Sequence, residues 1–249
     1  MSNCKNARMR GELVDLLPPT LAVPVRARFG SRDPEVALLN RFVQPGATVW
    51  DVGAHKGAYT WHLARLVGGH GRVDAFEPQP DLARRLLAWA PPQVHVHVTA
   101  LSDSTSSSTL NVPVWGTRMM KGHASLEVPS SEQAATVTVP VSTQLADDLD
   151  TSPAFIKVDV EGHELSVLRG AADKIATARP TLLLEIDFRH RRETSSLTAL
   201  LNWLRERHYE AHYVTGQSLR HYGDLHSSED PNVRIDASQY VYNWFFMPG

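Results

Sequence analysis

Apolar and polar positions alternate between two periods along the chain, and the switches mark its elements. Thr48, Val49 and Trp50 form a β-type run after a Pro45-Gly46 turn, ended by Asp51. Ala58 to Val67 then carries Leu63, Leu66 and Val67 at helical spacing. Val73, Ala75 and Phe76 make a second short strand ending in Glu77. Asp81 to Ala90 reads as a helix with Leu82, Leu86 and Leu87 or Trp89 inward, stopped by Pro91-Pro92. Val94 to Thr99 alternates with period two, placing His95 and His97 on one face, where same-face histidines on a strand are expected to be exposed rather than metal-bound. Ala154 to Val160 and Thr181 to Phe188 read as buried strands, separated by a helix from about Glu164 to Ala178. Thr194 to Tyr209 is an amphipathic helix, and Tyr213-Val214 and Tyr240 to Met247 are the last strands. Upstream, Asp33-Pro34 looks like a helix start, with Val36, Leu39 and Phe42 inward. Strands alternating with helices predict an α/β domain: an open, mostly parallel sheet with helices on both faces.

Two stretches break the pattern. Ser102 to Thr109 is serine-rich and reads as a loop or hairpin tip. Trp115 to Leu126 lies between β-like segments at Thr109 to Val114 and Ala135 to Val141, mixes Gly, Met, Arg, Lys and His without a period, and is too long for a plain turn. A lid over a substrate is the functional reading of it. Residues 1–30 read as an N-terminal extension, and 31–249 as the main domain.

Composition narrows the classes. The 249 residues carry a formal net charge of −2 with no long basic run, so nucleic acid and anionic membrane are not expected partners. One cysteine, Cys4, excludes a disulfide framework within the chain. No stretch approaches the ~20 apolar residues of a membrane span, and no apolar core follows the basic N-terminus, so a cytoplasmic location is expected.

The chemistry collects at strand ends. Val49 to Thr60, V-W-D-V-G-A-H-K-G-A-Y-T, is strand, glycine turn, helix, and Glu77 follows Asp51 by 26 positions. An acidic residue ending the second strand of such a unit accepts hydrogen bonds from ribose hydroxyls. The turn is D-x-G-x-x-x-G, not G-x-G-x-x-G, which favours a nucleoside without a pyrophosphate, such as S-adenosylmethionine, over a dinucleotide. Farther on, D-V-E-G-H-E crowds Asp159, Glu161, His163 and Glu164 at another strand end, and Glu185 and Asp187 end the next strand.

These blocks, D-V-G-A-H-K-G-x-Y-T, F-E-P-Q-P, A-L-S-D, G-H-A-S-L, I-K-V-D-V-E-G-H-E-x-x-V-L-R-G-A and R-P-x-x-x-x-E, occur in an order that resembles the FkbM-type S-adenosylmethionine-dependent methyltransferases over about residues 36–190. The resemblance implies a Rossmann-like class I methyltransferase fold with a seven-stranded sheet. It implies that Asp51, Gly53, Ala54, His55, Gly57 and Tyr59 wrap the methionine and ribose side, that Glu77 holds the ribose, that Ala100, Leu101, Ser102 and Asp103 lie by adenine, and that Asp159 faces both cofactor and acceptor. The family usually has Asn where this chain has His55. Members are typically O-methyltransferases of sugars or natural products, so the implied partner is a small molecule with a free hydroxyl. Asp159, Glu161, His163 and Glu185 are the candidate catalytic residues: His163 suits a general base by intrinsic pKa, Asp159 by position. Period two puts Lys157, Asp159 and Glu161 on one side of their strand, and the bland reading of these three is an ion-pair network beside a cofactor pocket. Mg²⁺ held by Asp159 with Glu185 or Asp187 is a less favoured alternative to direct assistance by side chains. Two other function classes stay open: a cofactor-binding partner protein without catalysis, and an NAD-dependent oxidoreductase.

Overall fold

A computed structural model describes residues 34–115, 117–127, 135–186, 194–215, 218–224 and 243–249. The strands are β1 (Thr48–Val52), β2 (Arg72–Phe76), β3 (Val94–His97), β4 (Ala100–Leu101), β5 (Ser106–Trp115), β6 (Arg118–Met119), β7 (Thr136–Gln144), β8 (Phe155–Val158), β9 (Thr181–Glu185), β10 (Tyr209–Thr215), β11 (Ser218–His221) and β12 (Asn243–Pro248). The helices are α1 (Ala58–Val67), α2 (Pro80–Leu87), α3 (Glu164–Gly170), α4 (Ala172–Ala178) and α5 (Thr194–Arg205), preceded by a 3₁₀ helix at Pro34–Arg41.

The main sheet runs β11-β10-β12-β9-β8-β1-β2-β3. β3, β2, β1, β8 and β9 are mutually parallel, and β12 enters antiparallel between β9 and β10. Eight strands stand where seven are expected, because the short β11 pairs with the outer side of β10. A second sheet, β4-β7-β5-β6, grows from the connection between β3 and β8.

Strand alternation divides the core into two layers. Trp50, Val52, Phe76, Ile156, Leu182 and Leu184 pack with Val167 and Leu168 of α3, Ile175 of α4, and Leu197 and Leu200 of α5. Val49, Val73, Phe155 and Leu183 point the other way, onto Leu63, Ala64 and Val67 of α1 and Leu38 and Leu39 of the 3₁₀ helix. Each face of the sheet is thus sealed by helices, as an apolar parallel sheet requires.

Several local expectations need correcting. Ser106 to Thr109 belongs to β5, not to a loop: pairing with β7 in register from Ser106↔Thr143 to Pro113↔Thr136 overrides the weak strand propensity of serine. The helix expected over 164–178 is broken at Ala171 into α3 and α4. α2 ends at Leu87, which is exposed, and Tyr209 opens β10 instead of closing a helix. The first turn-rich segment is a 3₁₀ helix that buries Leu38 and Leu39. His97 is not simply exposed: it stacks on Phe76 at 4.6 Å and hydrogen-bonds Asp74 at 2.8 Å. Residues 1–33, Asp187 and 225–242 lie outside the described residues, and with them the N-terminal extension, one metal alternative and the start of the last expected strand.

Candidate active site

The turn after β1 is shaped by close crossings. Gly53 has φ +84°, and a Cβ there would stand 1.8 Å from the Asp159 carbonyl oxygen. Gly57, at φ +83°, is pressed against Leu86 and Trp89. The two glycines therefore let β1 meet the β8 turn and α1 meet α2, rather than only opening space for a ligand. His55 adopts φ 49°. Asn and His are among the residues that tolerate this left-handed region best, so His55 can occupy the position usually held by Asn without breaking the turn.

A cleft of about 650 Å³, its open solvent space included, lies at the C-terminal ends of β1, β2 and β8. Val52, Gly53 and His55 form one wall; Glu77 and Gln79 another; Leu101 and Leu110 a third. Asp159, Glu161 and His163 line it from the β8 turn, and Lys121, Gly122, Ala124 and Leu126 from the segment between β5 and β7. This is the edge at which open α/β sheets bind ligands.

Glu77 is buried, and its carboxylate oxygens accept the backbone N–H groups of His55 and Gln79, each at 2.8 Å. Burial pushes its pKa up to about 7 in spite of these two bonds. A carboxylate offers about four lone-pair sites, so two remain for a ligand.

Behind the cleft wall runs a row of charge on the α1 side of the sheet. Asp51 on β1 pairs in register with Lys157 on β8, and Glu185 on β9 with Asn243 on β12. Asp51 accepts a 2.5 Å hydrogen bond from Thr60, and burial raises its pKa to about 6. Lys157 is fully buried. Its ammonium lies 3.6 Å from Glu185, 3.9 Å from Asp159 and 5.1 Å from the centre of the Tyr59 ring. A buried charge of this kind persists only when paired.

The expected residues therefore separate into groups. Gly53, His55, Glu77, Leu101, Asp159, Glu161 and His163 line one cleft. Asp51, Ala54, Gly57 and Tyr59 are not on its lining but buttress it from the turn and α1. Glu185 meets Asp159 through Lys157. Glu161 leaves the strand in a left-handed turn (φ 51°) and faces His123 at 3.3 Å. His163 contacts Ser102 Oγ through Nε2 at 2.9 Å and Glu127 Oε1 through Nδ1 at 2.7 Å. Both ring nitrogens are thus engaged, and the partner at Nε2 is a residue expected beside adenine.

Sequence reasoning gave Lys121 and Ser125 only a place in the expected lid and assigned no role to Gln79 or Glu127. Gln79 donates to the Lys121 carbonyl at 3.0 Å, and Lys121 pairs with Asp81. Ser125 donates to the Glu161 carbonyl at 2.8 Å. The segment 121–127 consequently bridges the F-E-P-Q-P turn and the D-V-E-G-H-E turn. The signals for this were the aperiodic stretch and the G-H-A-S-L block within it.

Comparison with known proteins follows the same outline. The family model described as Methyltransferase FkbM domain matches residues 51–211. Hexuronic acid methyltransferase AglP of Haloferax volcanii is 31% identical over 164 residues, 61% of this chain and 60% of that protein, so the chain spans less than two thirds of that relative's length. Among solved structures, a methyltransferase FkbM from Methylobacillus flagellatus aligns with 17% identity and a TM-score of 0.49, over 99% of this chain and 59% of that one. A Clostridium thermocellum protein described as an rRNA-methylase aligns with 11% identity and a TM-score of 0.51, over 86% of this chain and 95% of that one, a likeness of fold alone.

Proposed function

The chain belongs to the FkbM methyltransferase family, and from that premise we propose that it transfers a methyl group from S-adenosylmethionine to a hydroxyl of a sugar or natural-product small molecule. The observation that carries this reading is the cleft where Glu77 and Asp159 line a glycine-turn wall at the ends of β1, β2 and β8. The residues present fit that donor. Glu77 has free acceptor capacity for ribose hydroxyls, Leu101 offers an apolar surface for a base, and Asp159 and Glu161 add carboxylates to the cleft lining, a setting suited to a sulfonium cation.

When bound, the sulfonium supplies an electrophilic methyl with a good leaving group. The protein's task is then alignment and removal of the acceptor's proton. Asp159 is partly exposed in the cleft and is the group we assign to the acceptor hydroxyl, with Lys157 as its counter-charge. Glu185 completes the Lys157 environment. Because an ammonium already sits between Asp159 and Glu185, a divalent cation there would add charge where charge is compensated, and we assign the step to side chains without Mg²⁺. His163 is assigned a positioning role: its ring is held between Ser102 and Glu127, on the adenine side.

The test is a titration of S-adenosylmethionine against NAD, followed by transfer of labelled methyl to a panel of sugars and hydroxylated small molecules. Tight binding of NAD with none of S-adenosylmethionine would overturn the reading; binding without transfer to any acceptor would favour a partner protein without catalysis. Asp159→Asn should lower turnover by about 10²–10⁴, far more than it lowers cofactor affinity.

A further inference from the structure

Far from the cleft, β10 and β11 bring together a second set of coordinating side chains. His212 on β10 stands directly opposite His221 on β11 in the antiparallel register, with ring centres 5.0 Å apart. Glu210 lies two residues before His212 and so on the same face of β10. One donor atom from each of Glu210, His212 and His221 lies within 4.8 Å of the other two. Around a Zn²⁺ ion with bonds of 2.0–2.2 Å, ligand atoms lie within about 4 Å of one another, so rotamer shifts of under about an ångström close the set.

We propose that Glu210, His212 and His221 form a surface site for a borderline divalent transition ion of the Zn²⁺ class. Two imidazoles and one carboxylate select Zn²⁺, Co²⁺ or Ni²⁺ over Mg²⁺ and Ca²⁺, which prefer oxygen ligands alone. Three protein ligands leave a fourth position for water. The scaffold is suitable because all three come from adjacent paired strands, whose ladder fixes the backbone before the ion arrives. His212 Nδ1 lies 3.1 Å from the Glu210 carbonyl oxygen. Donating a proton there leaves the Nε2 lone pair for the ion, the arrangement that orients metal-bound histidines. His221 Nδ1 accepts the Gly223 N–H at 3.1 Å, and its Nε2 faces Glu210 Oε2 at 3.9 Å. Binding through Nε2 moves that ring's proton to Nδ1 and gives up the Gly223 bond, a small loss beside a metal–imidazole bond.

The site is distinct from the proposed catalytic centre. β10 is three strands from β8, about 14 Å at the ~4.8 Å spacing of neighbouring strands. Glu210 is the second residue and His212 the central residue of a strand that runs parallel to β9, so neither stands at its C-terminal end, the ligand edge. The ion would pin the edge strand β11 to β10, so occupancy should raise thermal stability without being required for cofactor binding.

The full chain should bind Zn²⁺ with one-to-one stoichiometry by calorimetry and show a Zn²⁺-dependent rise in melting temperature. Co²⁺ should give the visible absorption of a low-coordinate site with nitrogen ligands. His212→Ala and His221→Ala should each lower affinity by at least the 10–100-fold that loss of an outer-shell partner costs in metal sites. Their melting temperatures without metal should match that of the parent, which separates lost binding from lost folding. Glu210→Gln should weaken binding too. Failure of Zn²⁺ to bind, binding unchanged in either histidine variant, or binding unchanged in Glu210→Gln would each overturn the three-ligand site.

Discussion

Glu77 shows how one residue couples burial to ligand chemistry. Its pKa is raised to about 7 by burial, so near neutrality the carboxylate is only partly ionised. The ionised form is the better acceptor for ribose hydroxyls. Cofactor affinity should therefore rise between pH 6 and 8, and Glu77→Gln should flatten that dependence and weaken binding by about 1–3 kcal/mol, measured by calorimetry at several pH values. His163 offers a second test. With its nitrogens held by Ser102 and Glu127, His163→Gln should lose thermal stability and keep most turnover per folded molecule. A fall of about 10²–10⁴ in turnover with intact cofactor affinity would make it the base instead. Gly53 is the least replaceable residue of the turn. A Cβ would collide with the Asp159 carbonyl at a φ that side chains rarely adopt, so Gly53→Ala should destabilise by well over about 1 kcal/mol, read as a fall in denaturant midpoint.

At the scale of elements, the segment between β5 and β7 changes the picture most. It was expected to cover an acceptor; it lines the same cleft as Glu77 and His55. The Lys121–Asp81 pair is partly exposed, and such pairs contribute little singly. The hold of this segment comes from the sum of that pair, Gln79 on the Lys121 carbonyl, Ser125 on the Glu161 carbonyl and Glu127 on His163. Asp81→Ala alone should thus change cofactor affinity little. Deleting residues 119–126 should impair both cofactor affinity and acceptor use, and unchanged cofactor affinity in that variant would remove the segment from the donor site.

For the molecule as a whole, buried charge sets the response to pH. Asp74 is buried; burial works against its charge, but His97 and Arg72 outweigh this and hold its pKa down to about 2. A depressed carboxylate stabilises the fold fully above its unfolded value near 4 and loses that contribution as pH falls through 2, about 2 kcal/mol in all. Asp51 and Glu77 act in the opposite sense. Their folded values of about 6 and about 7 exceed the unfolded ones, so the folded state binds more protons between about pH 4 and 7, and stability rises as pH falls across that window. Denaturation of the cofactor-free protein should therefore show greatest resistance nearer pH 5 than pH 8, with Glu77→Gln reducing the slope and Asp74→Asn lowering the acid-side limb. Among the described residues no helix is long and apolar enough to cross a membrane.

The local signals of the sequence were sufficient for α1, for the glycine turn and for the acidic ends of β2 and β8, because periodicity, glycine placement and strand-end carboxylates act over a few residues. The family blocks extended this to the fold class, an open and mostly parallel sheet with helices on both faces. Other features were not legible because they depend on residues far apart in the chain. The serine run became β5 only through its pairing with β7, and Gly170, the local signal for the break at Ala171, takes its force from the close approach of the Ser102 carbonyl, 1.9 Å from where a Cβ would stand. Period two was enough to place Lys157 with Asp159 in an ion-pair network, but its contact with Glu185 depends on the pairing of β8 with β9. His97 was judged by its strand face, but the buried Asp74 on the neighbouring strand decided its role. The sequence by itself determined which side chains stand at strand ends; only the tertiary structure decided which of them share a cleft, since that depends on strand order and on loops crossing between strands.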